Sequence, residues 1–138
     1  MKILVDTNVI LDVLFERKPF VNHSSVIMGK IERRTLGGML CATTLTTIHY
    51  LACKSIGKKE GTGAIKKLLQ IYEIAPVDHQ ILTFALNSGF KDYEDGVLHA
   101  SAIKAGAVAI VTRNIKDFAV SELPVFTPEE FIFKSPDF

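Results

Sequence analysis

The chain has 138 residues, a length that suits one domain over 1–138 and is long enough to bury a real hydrophobic core. With 48 % hydrophobic and 22 % charged residues, its composition is that of a soluble globular protein and excludes a disordered one. The formal net charge of +1 gives no global argument for binding a polyanion, so local patches or metal ions would have to hold one.

In chain order, KILVD at 2–6 is a short apolar run with the character of a buried strand ending at Asp6. A helix NVILDVLFE is expected next, broken by RKPF, and residues 21–35 read as a second helix ending in the basic ERR. Residues 37–42, GGMLCA, read as a strand, and 43–57 as a helix with Gly57 as its C-cap. A helix is expected over about 62–72, a short strand over 73–77, and a helix over 78–88 with Asp78 as N-cap. The stretch from Glu94 to Ala105 reads as a largely buried helix closed by Gly106, followed by an apolar strand over 107–112. A last short strand falls at 124–126, and TPEEF predicts a helix start with Thr127 as N-cap, Pro128 at the first position and Glu130 completing a capping box.

Strands alternating with helices predict an α/β fold with a mostly parallel sheet. No apolar run approaches the ~20 residues that span a bilayer. The N-terminal run is interrupted by Asp6 and Asn8, unlike a signal peptide. A cytoplasmic protein without membrane contact is expected. Cys41 and Cys53 fit no CxxC spacing and read as free core thiols.

In parallel sheets, functional groups collect beyond the carboxyl ends of the strands. That edge should carry Asp6, from the first strand, and the segment TRNIKDF, after the strand at 107–112. Asp6 alone reads equally as the cap of the following helix. Asp92 and Asp95, three apart, share a helix face, and acids at a helix start are favoured by its dipole. Capping explains Asp92 better than Asp95, which begins the buried series Asp95, Leu98, His99, Ala102. A carboxylate on a buried face is costly unless paired or metal-bound. His99 reads as a satisfied buried histidine ahead of a ligand, and His23, His49 and His79 form no ligand-spaced cluster. Thr112, Arg113, Asn114 and Asp117 read either as a polar turn or as a segment that brings Asp117 and Asn114 beside Asp6. Several carboxylates at one point repel unless a cation neutralises them, and all-oxygen ligands favour Mg²⁺ or Mn²⁺.

The three motifs VDTNVILD, DYEDGVLHASA and IVTRNIKDF resemble, in order and spacing, the PIN-domain family of metal-dependent ribonucleases, and within it the toxins of toxin–antitoxin pairs. The resemblance implies a three-layer α/β/α sandwich around a mostly parallel sheet. It implies an acidic pocket that binds Mg²⁺ or Mn²⁺ and hydrolyses RNA through an activated water. By matching position, Asp6, Asp95 and Asp117 would be the catalytic and metal-site acids, with Asn8, Thr112 and Asn114 as supporting polar groups. Asp92 and Glu94 are further acids nearby. Arg113, Lys54 and Lys58 are candidates for contact with RNA phosphates. A homodimer and a small inhibiting antitoxin are the implied partners. One departure stands out: the family's usual Glu on the helix after the second strand aligns with Thr47, and its neighbours Thr46, Ile48 and His49 are not acidic. The alternative is therefore a degenerate member that binds RNA or protein without cutting.

Other classes fit less well. A dehalogenase-type phosphohydrolase needs Asp-x-Asp after its first strand, and the second position here is Asn8. A dinucleotide fold needs GxGxxG there, which DTNVIL lacks. The GTG at 61–63 lacks the Lys-Ser/Thr of a phosphate loop.

Overall fold

The computed structural model describes residues 1–134, and the domain expected over 1–138 extends past them at its C-terminus. Five strands form one sheet: Lys2–Val5 (β1), Gly37–Cys41 (β2), Glu73–Ala75 (β3), Ala109–Val111 (β4) and Val125–Phe126 (β5). All pairings are parallel, in the order β3-β2-β1-β4-β5. β1 lies at the centre of the sheet, and Ile3, Leu4 and Val5 are all fully buried because both faces of a parallel sheet are covered.

The alternation of side chains along each strand divides the core into two. Ile3, Val5, Leu40, Ala109 and Val111 face one layer of helices, made of Thr7–Leu14 (α1), Val21–Glu32 (α2), Ala42–Ile56 (α3), Lys58–Ile71 (α4) and Pro128–Lys134 (α7). Leu4, Met39, Cys41, Ala75 and Ile110 face the other layer, His79–Leu86 (α5) and Tyr93–Lys104 (α6). The expected α/β/α sandwich is thus observed. Among the described residues no helix is long and apolar enough to cross a membrane.

Most elements fall where the periodicity places them. The capping box at the start of α7 forms as expected: the Thr127 N–H donates to Glu130 Oε1 at 3.0 Å, and the Glu130 N–H donates to Thr127 Oγ1 at 3.0 Å. The helix expected over 62–72 begins earlier, at Lys58. The run KKEGTG is a poor helix former by propensity, and its helicity comes from packing against α3. Gly61 sits so close to α3 that a Cβ there would lie 2.7 Å from Cys53 Sγ. Gly57, with φ +92°, makes the sharp turn that folds α3 and α4 into a hairpin.

Candidate functional site

β1 and β4 are paired neighbours that run the same way, so the residues just beyond them, Asp6 and Thr112, meet at one edge. Asp6 satisfies both readings of the sequence at once. It caps α1, its Oδ1 accepting the Thr7 N–H at 2.7 Å. Its Oδ2 accepts from Thr112 Oγ1 at 2.8 Å and, more distantly, from Asn8 Nδ2 at 3.4 Å. Thr112 is the hub of this edge, because its hydroxyl also accepts the Asn114 N–H at 3.1 Å. Asp6 is buried, and burial pushes its carboxyl above the usual range. The Thr112 and Thr7 bonds pull the other way, and the charges of Glu94 and Asp117 add to the rise.

α6 opens at the same edge. Asp92 is its N-cap, Oδ1 accepting the Glu94 N–H at 2.9 Å. Asp95, one turn in, is half-buried, and its carboxyl is pushed up to about 7. Burial is the chief cause, followed by the charges of Asp6, Asp92, Asp117 and Glu94. Asp117 lies exposed in a short 3-10 helix, Ile115–Phe118, that follows β4; Asn114, just before it, is also exposed. The structure therefore gathers acids from the beginning, late middle and end of the chain into one field of mutual repulsion.

Their donor chemistry, hard carboxylate oxygens whose negative charges act on one another, suits a hard cation. Yet among the described residues no group of three or more His, Cys, Asp or Glu side chains stands close enough to grip a metal ion. The fit is to an ion that keeps most of its waters and takes one or two carboxylates, as Mg²⁺ commonly does, and not to a closed cage. The start of α3 faces this edge without an acid. Thr44 Oγ1 lies 3.0 Å from Thr7 Oγ1, and Thr47 turns its hydroxyl to its own helix, donating to the Thr43 carbonyl at 3.2 Å.

His99 is buried in α6, four residues after Asp95. Its Nε2 accepts the Glu122 N–H at 3.0 Å, its ring packs on Phe90, and burial lowers its pKa. That agrees with the reading of a core histidine, although its Nδ1 has no partner. Cys41 is buried and Cys53 half-buried, both as free thiols.

The three basic side chains expected to meet RNA phosphates stand in two separate places. The Arg113 guanidinium is already engaged: Nε and Nη2 donate to the two Asp12 carboxylate oxygens at 2.9 and 3.1 Å, and the group lies 4.0 Å from the Phe20 ring centroid. Lys54 and Lys58 stand at the α3–α4 turn, about 18 Å along α3 from the end facing the acids. Lys54 lies over the Tyr50 ring there, at 5.9 Å. Asp12 is the residue that the sequence reading passed over. It is 0 % exposed, and its signal was an acid inside the apolar run NVILDVLF, which demands a buried partner. Through Arg113, whose N–H also donates to Asn8 Oδ1 at 3.2 Å, Asp12 ties α1 to the segment that carries Asn114 and Asp117.

Fold and site together define an α/β/α domain with a carboxylate cluster at the carboxyl edge of a parallel sheet. A family profile described as PIN domain matches residues 2–116. Ribonuclease VapC1 of Aquifex aeolicus (strain VF5) is 35 % identical over 136 residues, covering 94 % of this chain and 92 % of that protein. The chain belongs to the PIN-domain family. The same fold is found in VapBC-1 from nontypeable Haemophilus influenzae, with a TM-score of 0.69 and 17 % identity over 94 % of this chain and 99 % of that one. It is found also in a toxin–antitoxin complex from Klebsiella pneumoniae, with a TM-score of 0.66 and 22 % identity over 91 % of this chain and 96 % of that one.

Proposed function

We infer that this chain is a ribonuclease that hydrolyses RNA phosphodiester bonds and serves as the toxin of a toxin–antitoxin pair. The observation that carries the reading is the meeting at one sheet edge of Asp6 and Asp95, whose carboxyls are both raised by burial and by neighbouring acids that include Asp117. The 35 % identity to a protein named as a ribonuclease, over nearly the whole chain, supports the same activity.

Asp6, Asp95 and Asp117 would hold Mg²⁺ or Mn²⁺, with Asp92 and Glu94 adding negative potential around them. A bound divalent ion supplies acidity to a coordinated water and offsets charge on the scissile phosphate. The remaining work falls to the chain. Thr112, Asn8 and the Thr7 N–H hold the Asp6 carboxylate in one orientation. Asp95, with a pKa of about 7, holds a proton near neutrality that cation binding must displace, so cleavage should strengthen as pH rises through that value. Asn114, exposed just before Asp117 and tied by its N–H to Thr112, would support this edge as a polar group.

A second reading is favoured by the missing acid at Thr47 and the lack of a tight metal cluster among the described residues: a binding module for RNA or protein that no longer cuts. One experiment separates the two. Wild type and Asp6→Asn are incubated with a structured RNA in Mn²⁺ or in EDTA. The ribonuclease reading expects cuts by wild type in Mn²⁺ alone and none by the variant, with both proteins folded. RNA binding without cuts by wild type supports the second reading. Equal cutting by both proteins places the active site elsewhere. The toxin reading adds a homodimer and a small antitoxin as partners; co-purification with the product of a neighbouring small gene tests it.

A further inference from the structure

Beside the acidic edge lies a cavity of about 270 Å³ whose walls include Phe20, His23, Ser24, Arg113 and Glu129. We propose that this cavity is a nucleobase subsite, taking a keto base, guanine or uracil, from the RNA strand whose phosphate lies at Asp6 and Asp95. The proposal rests on the ribonuclease reading above and deepens it.

Position is the first argument. Arg113 belongs to both places. Its N–H is bound to Asn8, which also reaches Asp6, and its side chain lines the cavity. Asp12, which holds that side chain, follows Asp6 by about 9 Å along α1, so the cavity adjoins the acids instead of lying across the molecule.

Its chemistry is the second. The Phe20 ring is 39 % exposed although it is clamped by a guanidinium, and an exposed aromatic face is what stacks a base. Arg113 is immobilised by two bonds to Asp12 and by the ring, so little further ordering is needed when a ligand arrives. Those bonds use Nε and Nη2 and leave Nη1 as a donor. Ser24 is 1 % exposed, and its hydroxyl has no partner in the protein. A buried hydroxyl without a bond is unfavourable, and the polar edge of a ligand would satisfy it. Glu129, on the cavity wall, offers a carboxylate acceptor. Guanine and uracil present a carbonyl oxygen beside an N–H, which suits a cavity lined by both a donor and a carboxylate. Adenine and cytosine present the reverse order.

The test uses short fluorescein-labelled single-stranded RNAs that differ at one position, including an abasic one. Wild type, Phe20→Ala and Glu129→Gln are compared in Mn²⁺ for cleavage and in EDTA for binding. Both substituted positions are exposed, so the fold should tolerate the changes. Wild type should prefer guanine or uracil at one position near the cut. Phe20→Ala should lower kcat/KM on that RNA by roughly tenfold and leave the abasic RNA unaffected. Glu129→Gln should relax the keto preference and also leave the abasic RNA unaffected. Unaltered preference in both variants, or equal losses on abasic RNA, overturns the subsite. A wild type that binds with the keto preference but cuts nothing overturns the nuclease reading alone. One that neither binds nor cuts overturns both. Release of a co-purified protein partner by Phe20→Ala, with RNA preference intact, assigns the cavity to that partner and overturns the nucleobase proposal.

Discussion

Replacing Asp95 by Asn should stabilise the metal-free protein increasingly as pH rises. The Asp95 carboxyl is pushed up to about 7 by burial and by four neighbouring acids. In the unfolded chain it titrates at about 3.9. The folded state therefore keeps a proton that the unfolded state has released. A group raised in this way contributes stability that is fully present below about pH 4 and lost as pH climbs through about 7. Between about pH 4.5 and about pH 7 the loss amounts to roughly 3.4 kcal/mol if unscreened. Asp95 is only half-buried and its neighbours are solvated, so about 2 kcal/mol is the realistic size. At roughly 3 °C per kcal/mol for a chain of this length, the gap in Tm between variant and wild type should widen by about 6 °C. His99 acts in the opposite direction. Burial lowers its pKa, so its contribution is full above about 6.5 and is lost as pH falls below that toward the lower folded value, but it is present in both proteins and cancels in the difference. Scanning calorimetry of both proteins in EDTA, at about pH 4.5 and about pH 8, reads the effect directly. A gap that does not change with pH would refute the claim that Asp95 sits in a repulsive acidic field.

Asp12→Asn should destabilise the fold by about 2–4 kcal/mol in urea denaturation, because it leaves the Arg113 guanidinium without its buried partner. An unaltered midpoint would mean that the pair contributes nothing to stability. Gly61→Ala should cost about 1–3 kcal/mol by wedging α4 from α3, since the added Cβ would meet both Cys53 Sγ and the Cys53 backbone; thermal melting shows whether it does. Thr47→Glu adds a carboxylate to α3 one turn after Thr44, which touches the acidic edge through Thr7, and isothermal titration should show tighter Mn²⁺ binding than wild type. Weaker or equal binding would place Thr47 out of reach of the ion.

Much of this protein is written locally along its chain. The unbroken apolar runs ILV of β1 and AIV of β4 are buried on both faces, and a stretch covered on both sides has no polar position to offer. The caps at Asp78, Asp92 and Thr127 were legible for a similar reason: each bond joins residues two or three positions apart. A parallel sheet also brings its carboxyl ends to one edge whatever the strand order, which is why Asp6 and the segment around Asp117 were expected together.

What local pattern could not decide depends on contacts between distant parts of the chain. The helical state of KKEGTG is imposed by α3, against which only a residue without a Cβ fits at Gly61. The pairing of Arg113 with Asp12 could not be read locally, because the two lie 101 positions apart and nothing near Arg113 announces its partner. The central place of β1 was likewise invisible from its own residues, since order across a sheet is settled by which surfaces pack. The titration of Asp95 follows the same logic. Its own sequence shows a helix-start acid, but its proton affinity is set by burial and by charges on Asp6 and Asp117, which only the folded chain brings near it.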